Sequence, residues 1–174
     1  MKIEFPILTV PSTETSDFLD ILQKLADSDF KKMILLSPFV DAHIIKNIIS
    51  RCIYNDKRIL IVTRYKKSLP AQKSAMDKAQ KYLVHLKNYT LKERIRWEIN
   101  EKLHAKCVIC DWNTVLFGSQ NLTEFGGLGY KGKGNYESGM FLKDLPDDYK
   151  DKLKEFVNEV RKNKSFVFYP RKER

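Results

Sequence analysis

Two short apolar runs separated by an amphipathic stretch constrain the fold of this chain most strongly. Residues 33–40 (MILLSPFV) form a continuous apolar run, and residues 58–63 (RILIVT) are short and rich in β-branched side chains. Both runs are typical of buried β-strands. The stretch between them, residues 41–55, predicts a helix because its apolar residues share one face: Ile45, Ile48, Ile49 and Cys52.

The periodicity of the remaining sequence extends this pattern along the chain. Apolar residues at helical spacing predict further helices over residues 12–29, 71–88 and 146–160. Strands are predicted over residues 94–100, 103–111, 114–119 and 135–143, with a short further strand in the tail FVFYPRKER. This order predicts an α/β fold in which a mixed β-sheet is flanked by helices on both faces. At 174 residues the chain is expected to form a single domain, residues 1–174.

The formal net charge of +10 is concentrated in one central segment. Residues 57–96 contain twelve Lys or Arg against two acidic residues, and the rest of the chain carries equal numbers of basic and acidic residues. A local excess of this size favours a polyanionic partner, and nucleic acid is the favoured interpretation. A solvated lysine-rich surface and an anionic membrane surface are the alternatives.

The sequence contains no evident targeting or membrane segment. The N-terminal MKIEFPILTV has charged residues and a proline in place of a long apolar core, so no signal peptide is expected. No apolar segment approaches the roughly 20 residues that a membrane span needs. The three cysteines indicate a reducing compartment, and a cytoplasmic location is expected. Cys107 and Cys110 are predicted to lie on opposite faces of one strand and therefore not to share a metal ion.

Polar residues interrupt the predicted strands between residues 103 and 121. His104 and Lys106 are expected to point to the same face, because side chains alternate in direction along a strand. The next strand ends in Gly118, Ser119 and Asn121, where the glycine permits close approach of the backbone and the other two supply neutral hydrogen-bond donors. An ammonium, a hydroxyl, an amide and an imidazole together predict a phosphate-binding site with a nucleophile.

The spacing of these residues resembles the signature of the phospholipase D superfamily. The pattern H-x-K-x4-D-x6-G-S-x-N is matched in full by His104, Lys106, Asp111, Gly118, Ser119 and Asn121. The downstream tripeptide Asn135-Tyr136-Glu137 resembles the N-x-E element of the small nuclease branch of that superfamily. The resemblance implies a phospholipase D-like α-β-α sandwich, with which the predicted order of helices and strands is consistent.

The resemblance also implies a role for each matching residue. His104 would be the nucleophile that forms a phosphohistidine intermediate. Lys106, Ser119 and Asn121 would bind the phosphoryl oxygens and stabilise charge in the transition state. Glu137 would accept a hydrogen bond from the far ring nitrogen of His104 and so fix its tautomer.

The chain carries a single copy of the signature, which bears on its oligomeric state. In-line displacement needs a nucleophile on one side of the phosphorus and a general acid on the leaving-group side. The resemblance therefore implies a homodimer in which two copies of His104 form one composite site on a two-fold axis. Asp111 would support this site rather than carry protons. No metal ion and no other cofactor is required in this chemistry.

Further substrate contacts are expected beside the predicted strands. Arg64, Lys66 and Lys67 follow the end of a buried strand, where ligands gather in α/β sheets, and are candidates for contacts with a nucleic-acid backbone. The glycine-rich loop 126–134 is either a lid, with Tyr130 stacking on a base beside Lys131, or a flexible connection.

These features together predict a metal-independent phosphodiesterase, and specifically a non-specific endonuclease that acts on DNA or RNA. A phospholipase D or phosphatidyltransferase that uses His104 on a lipid phosphodiester is one alternative. A nucleic-acid-binding module with weak catalysis is the other. The basic segment favours nucleic acid over lipid, and the intact set of site residues favours an enzyme over a binding module.

Overall fold

The computed structural model describes residues 1–9, 17–64, 94–123, 137–162 and 166–168, and the single positions 77, 78, 81 and 164. The strands are β1 (Lys2–Thr9), β2 (Lys32–Ser37), β3 (Arg58–Thr63), β4 (Ile95–Ile99), β5 (Cys107–Cys110), β6 (Thr114–Gly118), β7 (Glu137–Lys143) and β8 (Phe166–Phe168). The helices with described bounds are α1 (Asp17–Asp27), α2 (Ala42–Tyr54) and α3 (Asp147–Lys162). None of the helices in this part of the chain is long and apolar enough to cross a membrane.

The described strands form one mixed sheet in the order β1-β7-β6-β5-β2-β3-β4-β8. β2, β3 and β4 are parallel, and α2 carries the chain back across the sheet between β2 and β3. β5, β6, β7 and β1 continue the sheet as antiparallel neighbours, and β8 pairs antiparallel with β4. As a result, β2, β3, β4 and β6 end at the edge of the sheet where β5 and β7 begin. We call this edge the upper edge.

Each face of the sheet carries its own apolar core. On one face α1 and α2 pack against alternate residues of the parallel strands, including Met33, Leu35 and Ile61. On the opposite face α3 packs against the residues between them, including Ile34 and Leu36. The division follows from the alternation of side chains along each strand. The prediction of an α/β fold with a mixed sheet between helices is therefore confirmed.

The sequence does not predict β1, because the charged residues Lys2 and Glu4 and the proline at position 6 interrupt any apolar pattern. Proline is tolerated in this strand because β1 lies at the end of the sheet, and its register shifts between Glu4 and Pro6. The strand predicted over residues 103–111 is shorter than expected, since β5 begins at Cys107. The helix predicted over residues 71–88 lies outside the described residues except for positions 77, 78 and 81, which are helical.

Cys107 and Cys110 lie on opposite faces of β5, as predicted. Cys107 packs against the core beneath α3, and Cys110 belongs to the core beneath α1 and α2. Burial raises the pKa of the Cys107 thiol to about 12, so this thiol stays protonated near neutral pH. Both cysteines are packing residues in this fold.

Candidate active site

Most of the residues predicted to bind and cleave a phosphodiester meet at the upper edge of the sheet. Because β5, β6 and β7 are antiparallel neighbours, the start of β5, the end of β6 and the start of β7 lie side by side. The segments at this edge carry His104 and Lys106 before β5, Ser119 and Asn121 after β6, and Glu137 at the start of β7.

His104 and Lys106 contact each other directly. The Lys106 Nζ atom lies 3.4 Å from His104 Nε2 and donates a hydrogen bond of 3.1 Å to the carbonyl oxygen of His104. A hydrogen bond from Lys106 to Nε2 requires the tautomer with its proton on Nδ1, which leaves a lone pair on Nε2. His104 is exposed and Lys106 is half-buried, so an anion at the upper edge can reach both side chains.

The pKa of the Lys106 ammonium group is lowered from the ordinary lysine value. Burial is the largest cause, because desolvation disfavours the charged form. The carboxylate of Glu137 acts in the opposite direction and raises this pKa, and the guanidinium of Arg64 lowers it. Glu137 therefore helps to keep Lys106 charged in a partly desolvated position.

Arg64 and Glu137 thus act on Lys106 through their charges. Arg64 directly follows β3, and its guanidinium carbon lies 4.8 Å from the centroid of the Phe39 ring, which holds the side chain near the upper edge. Glu137 is half-buried at the first position of β7. The predicted hydrogen bond from His104 to Glu137 is not among the contacts of the described residues, so that orienting role stays a prediction.

Gly118 allows two strands to approach each other beside the site. Gly118 lies opposite Gly139 in the β6–β7 ladder. A Cβ atom on Gly118 would lie 2.3 Å from Gln120 Oε1, 2.4 Å from the carbonyl oxygen of Ser138 and 2.6 Å from Gly139 Cα. The close approach predicted for this glycine is therefore present. The sequence analysis does not single out Gln120, whose buried side chain fills the space above the glycine pair.

Replacing Gly118 with alanine should lower the free energy of unfolding by about 1–3 kcal/mol, as overpacking does in well-packed interiors. The added methyl group meets backbone atoms of β7, which cannot move aside like a flexible side chain. Urea unfolding and phosphodiester hydrolysis would be measured beside Thr114→Ala, a truncation at the other end of β6. A Gly118→Ala variant as stable and active as Thr114→Ala would contradict this account of the glycine.

Ser119 is positioned by Ser138, a residue that the sequence analysis does not single out. The Ser119 amide donates to the Ser138 carbonyl oxygen at 2.9 Å, and the Ser138 amide donates to Ser119 Oγ at 3.0 Å. The Ser119 hydroxyl donates only a long hydrogen bond of 3.3 Å to the Ser138 carbonyl oxygen. It can therefore turn its proton towards a phosphoryl oxygen at little cost. The signal available in the sequence is the position of Ser138 next to Glu137.

Asn121 is positioned through the segment that joins β6 to the end of β2. The amide of Leu122 donates to Ser37 Oγ at 3.1 Å, and the carbonyl oxygen of Leu122 accepts from the Asp41 amide at 2.8 Å. Asn121 is half-buried, and its Oδ1 atom has no hydrogen-bond partner among the described residues. A buried amide oxygen without a partner is costly, and a hydrogen-bond donor bound at the site would relieve that cost. Ser37 is a further supporting residue, detectable as the polar end of an apolar strand.

Asp111 does not lie with the other residues of the signature, which corrects its inclusion among the site residues. It follows the end of β5 that is remote from His104, at the edge opposite to the upper edge. Its carboxylate accepts hydrogen bonds from the Lys31 amide at 2.9 Å and the Lys32 amide at 2.8 Å. Asp111 therefore ties the β5–β6 turn to the start of β2, and its support of the site is structural.

Four of the predicted substrate contacts lie outside the described residues. These are Lys66, Lys67, Tyr130 and Lys131, and the same holds for Asn135 and Tyr136 of the downstream element. Of the predicted substrate-binding residues, the structure places Arg64 beside the site.

The family of the chain follows from a comparison with known protein families. Residues 14–162 match the family described as "Cardiolipin synthase, PLD-like domain", and this range contains all the site residues described above. The chain belongs to this phospholipase D-like family. The resemblance seen in the signature is thereby confirmed, and the superfamily comprises phosphodiester hydrolases and transferases. A comparison with curated protein sequences finds no significant match.

Solved structures of this phospholipase D-like fold extend over nearly the whole chain. Nuc from Salmonella typhimurium, a phospholipase D family member, is 18% identical with a TM-score of 0.67, over 95% of this chain and 99% of that one. NucT from Helicobacter pylori is 17% identical with a TM-score of 0.62, over 94% and 98% of the two chains. Phosphatidylserine synthase from Haemophilus influenzae is 13% identical with a TM-score of 0.72, over 94% of this chain and 39% of the synthase. At these identities the likeness shows the fold.

Proposed function

We propose that this phospholipase D-like chain is a metal-independent, non-specific endonuclease that cleaves the phosphodiester bonds of DNA or RNA. The observation that carries the proposal is the 3.4 Å contact between His104 Nε2 and Lys106 Nζ at an edge that also carries Ser119 and Asn121. An unprotonated imidazole nitrogen carries the lone pair of a nucleophile, and the neighbouring ammonium group attracts the anion to be attacked. The family match supports phosphodiester chemistry at such a site.

The first step in this proposal is attack of His104 Nε2 on phosphorus. An N–P bond forms on one side of the phosphorus while the bond to the leaving oxygen breaks on the other side. Lys106 transfers its hydrogen bonds from His104 to the non-bridging oxygens, and Ser119 and Asn121 donate neutral hydrogen bonds to them. Water then attacks the phosphohistidine, which breaks the N–P bond and releases the phosphomonoester.

The leaving oxygen needs a proton, and in this proposal His104 of the partner subunit supplies it. A homodimer with its two-fold axis beside His104 would place one imidazole on each side of the phosphorus. The same imidazole would remove a proton from the water that attacks in the second step. A homodimer is therefore part of the proposed function.

The charge of the chain supports nucleic acid as the substrate. Residues 57–96 contain twelve basic and two acidic residues. Arg64 belongs to this segment, and its charge acts on Lys106 at the upper edge. A basic surface that continues into the site would hold the phosphates on both sides of the cleaved bond. A lipid phosphodiester is the second candidate, because the family description names cardiolipin synthase and a phosphatidylserine synthase shares the fold.

The substrate class can be tested with plasmid DNA, a labelled RNA and phosphatidylglycerol vesicles, each incubated with the protein in excess EDTA. We expect cleavage of at least one polymer and no release of the lipid headgroup. The Lys106→Ala variant should retain about 10⁻² to 10⁻³ of the rate, the loss typical of removing one group that stabilises transition-state charge. Headgroup release without cleavage of either polymer would assign the site to lipids instead.

Hydrolysis should decline on the alkaline side at a pH below the ordinary lysine value of 10.5, because Lys106 must be protonated and its pKa is lowered. The Glu137→Gln variant removes the charge that raises this pKa, so its alkaline limb should move to lower pH. The Arg64→Gln variant removes a charge that lowers the pKa, so its limb should move to higher pH. The measurement is the pH profile of kcat/KM with a small chromogenic diester. If the alkaline limbs of both variants moved in the same direction, the alkaline limb could not be assigned to Lys106.

A further inference from the structure

Basic side chains form a row at the edge of the sheet opposite the active site, which we call the lower edge. β2, β3 and β4 begin at this edge, and β5 ends there. Lys32 at the start of β2 lies directly opposite Arg58 at the start of β3. Because Ile59 pairs with Ile95, Arg94 before β4 lies beside Arg58 on the other side. We call Lys32, Arg58 and Arg94 the basic row.

The basic segment 57–96 supplies most of this row. Lys57 and Arg58 begin the segment, and Arg94 and Arg96 end it. The parallel pairing of β3 with β4 brings both of its ends to the lower edge. Arg64 of the same segment lies at the upper edge, where it acts on the active site. The charge of the segment is therefore divided between the two edges, and the active site accounts for only one part of it.

Lys32 and Arg58 point to the same face of the sheet, the one that carries α3. Ile34 and Leu60, two residues further along the same strands, pack in the core beneath that helix. Adjacent strands are about 4.8 Å apart, so the two cationic side chains start from neighbouring positions. Lys32 is half-buried, and its Nζ atom lies 4.9 Å from the centroid of the Trp112 ring, whereas Arg58 is exposed. Like charges in this arrangement repel each other.

The carboxylates around the basic row already have partners. Asp56 pairs with Arg94, Glu98 with Arg161, and Asp111 with two backbone amides. Neither Lys32 nor Arg58 forms a salt bridge within the part of the chain that the structure describes. Burial lowers the pKa of Lys32 most, the charges of Arg161 and Arg58 lower it further, and Asp111 offsets this only in part. The row therefore presents positive charge that an anion from outside the chain can neutralise.

We propose that the basic row is a second nucleic-acid site, which holds the phosphate backbone of a polymer away from the active site. The inference rests on the proposed function, in which nucleic acid is the substrate. Two cations one strand apart suit a nucleic-acid backbone, because its negative charges also recur at intervals of a few ångströms. Arg58 can bind one phosphate through two parallel hydrogen bonds, and Lys32 acts on it or on its neighbour as a point charge.

The distance between the two edges sets the length of polymer that can occupy both sites. β2 has six residues from Lys32 to Ser37, so the edges are about 20 Å apart. Successive nucleotides of a duplex strand rise by about 3.4 Å, so at least about six nucleotides are needed to span this distance. A polymer held at the basic row raises the effective concentration of its own phosphodiesters at the active site. The second site therefore favours long substrates over short ones.

The test measures binding in the His104→Ala background, in which the proposed chemistry leaves the ligand uncleaved. Lys32→Gln with Arg58→Gln removes both cations, and Lys24→Gln with Lys152→Gln removes two exposed cations elsewhere as the matched control. Fluorescence anisotropy at several salt concentrations would follow labelled single strands of DNA and RNA of about 30 nucleotides. At about 0.1 M salt we expect the row variant to lose about 25-fold in affinity, and its salt slope to fall by about 1.4. The control should change neither quantity.

A labelled tetranucleotide, too short to span the two edges, should bind at the active site with the same affinity in the row variant and the control. Thermal unfolding checks the fold, and the row variant should be at least as stable as its parent because a repulsion is removed. If the double variant did not fold, Arg58→Gln alone, at an exposed position, should lower the salt slope by about 0.7.

The outcomes separate the second site from the proposed function. Equal losses of affinity in the row variant and the control would overturn the site, whatever the activity of the protein. Binding that depends on the row, in a wild-type protein that cleaves neither polymer, would overturn the proposed function and leave the site assigned. Phosphatidylglycerol vesicles that bind through the row, with no binding of either strand, would assign it to a membrane surface and overturn the proposal.

Discussion

Hydrolysis of DNA, RNA and a small diester should fall by about 10⁴-fold or more when His104 is replaced by alanine, the loss typical of removing a catalytic nucleophile. Among the described residues, no other group at the upper edge has the geometry to replace the His104 imidazole. Lys106 is positioned to bind an anion, and Ser119 Oγ is held by Ser138. Under the proposed mechanism the loss is large because the variant lacks both the nucleophile and, in the proposed homodimer, the general acid. The measurement is the initial rate in excess EDTA.

The matched control for this prediction is His43→Ala. His43 is an exposed histidine on α2, so replacing it removes one imidazole and leaves the His104–Lys106 contact intact. It should retain nearly full activity. Mass spectrometry of the wild-type protein, quenched during turnover, should show a phosphoryl adduct that His104→Ala lacks. Equal activity of His104→Ala and wild type in EDTA would remove His104 from the mechanism.

The candidate site could be predicted from the sequence because its spacing is that of a hairpin. Asp111 and Trp112 have φ angles of 47° and 63° and make the turn, and the ladder then runs from Cys110–Thr114 to Cys107–Phe117. A hairpin of this length returns the chain to the edge that it left, so the segments before β5 and after β6 must meet. The signature therefore encodes proximity as well as residue type. The same geometry explains why Asp111 belongs to the signature although it lies at the opposite edge.

Other features depend on contacts between segments whose relation is not contained in local periodicity. Gln120 is polar and stands between Ser119 and Asn121, and only the pairing of β6 with β7 shows that its side chain is buried over Gly139. The exposure of Phe156 arises from the path of α3 across the sheet, because an amphipathic pattern alone assigns this residue to neither the core nor the surface. Long-range register, which the sequence pattern does not specify, determines both.

Replacing Glu98 with glutamine should lower the free energy of unfolding by about 3 kcal/mol, the lower end of the range for breaking a buried ion pair. Glu98 is fully buried in β4 and accepts two hydrogen bonds from Arg161 near the end of α3, at 2.9 Å and 3.0 Å. It also pairs with Arg96, and Lys164 Nζ lies 3.9 Å from it. We expect the lower end of the range for breaking a buried ion pair because Arg161 is partly exposed and can be rehydrated in the variant.

The dependence of this loss on pH identifies the ionised carboxylate as its origin. Burial alone would raise the pKa of Glu98, but the hydrogen bonds and charge of Arg161, with Arg96 and Lys164, outweigh it and lower the pKa below the ordinary value of 4.5. A carboxylate whose pKa is lowered by folding stabilises the protein above its unfolded pKa, and the contribution disappears as the pH falls through the folded pKa. The difference between wild type and Glu98→Gln should therefore be full at pH 7 and shrink below pH 4.5.

Urea unfolding of both proteins at several pH values measures this difference, with Glu159→Gln as the control. Glu159 forms an exposed pair with Lys162 on the same helix, and exposed pairs contribute about 0–1 kcal/mol. A loss that is independent of pH would mean that packing of the side chain, and not its charge, holds α3 in place.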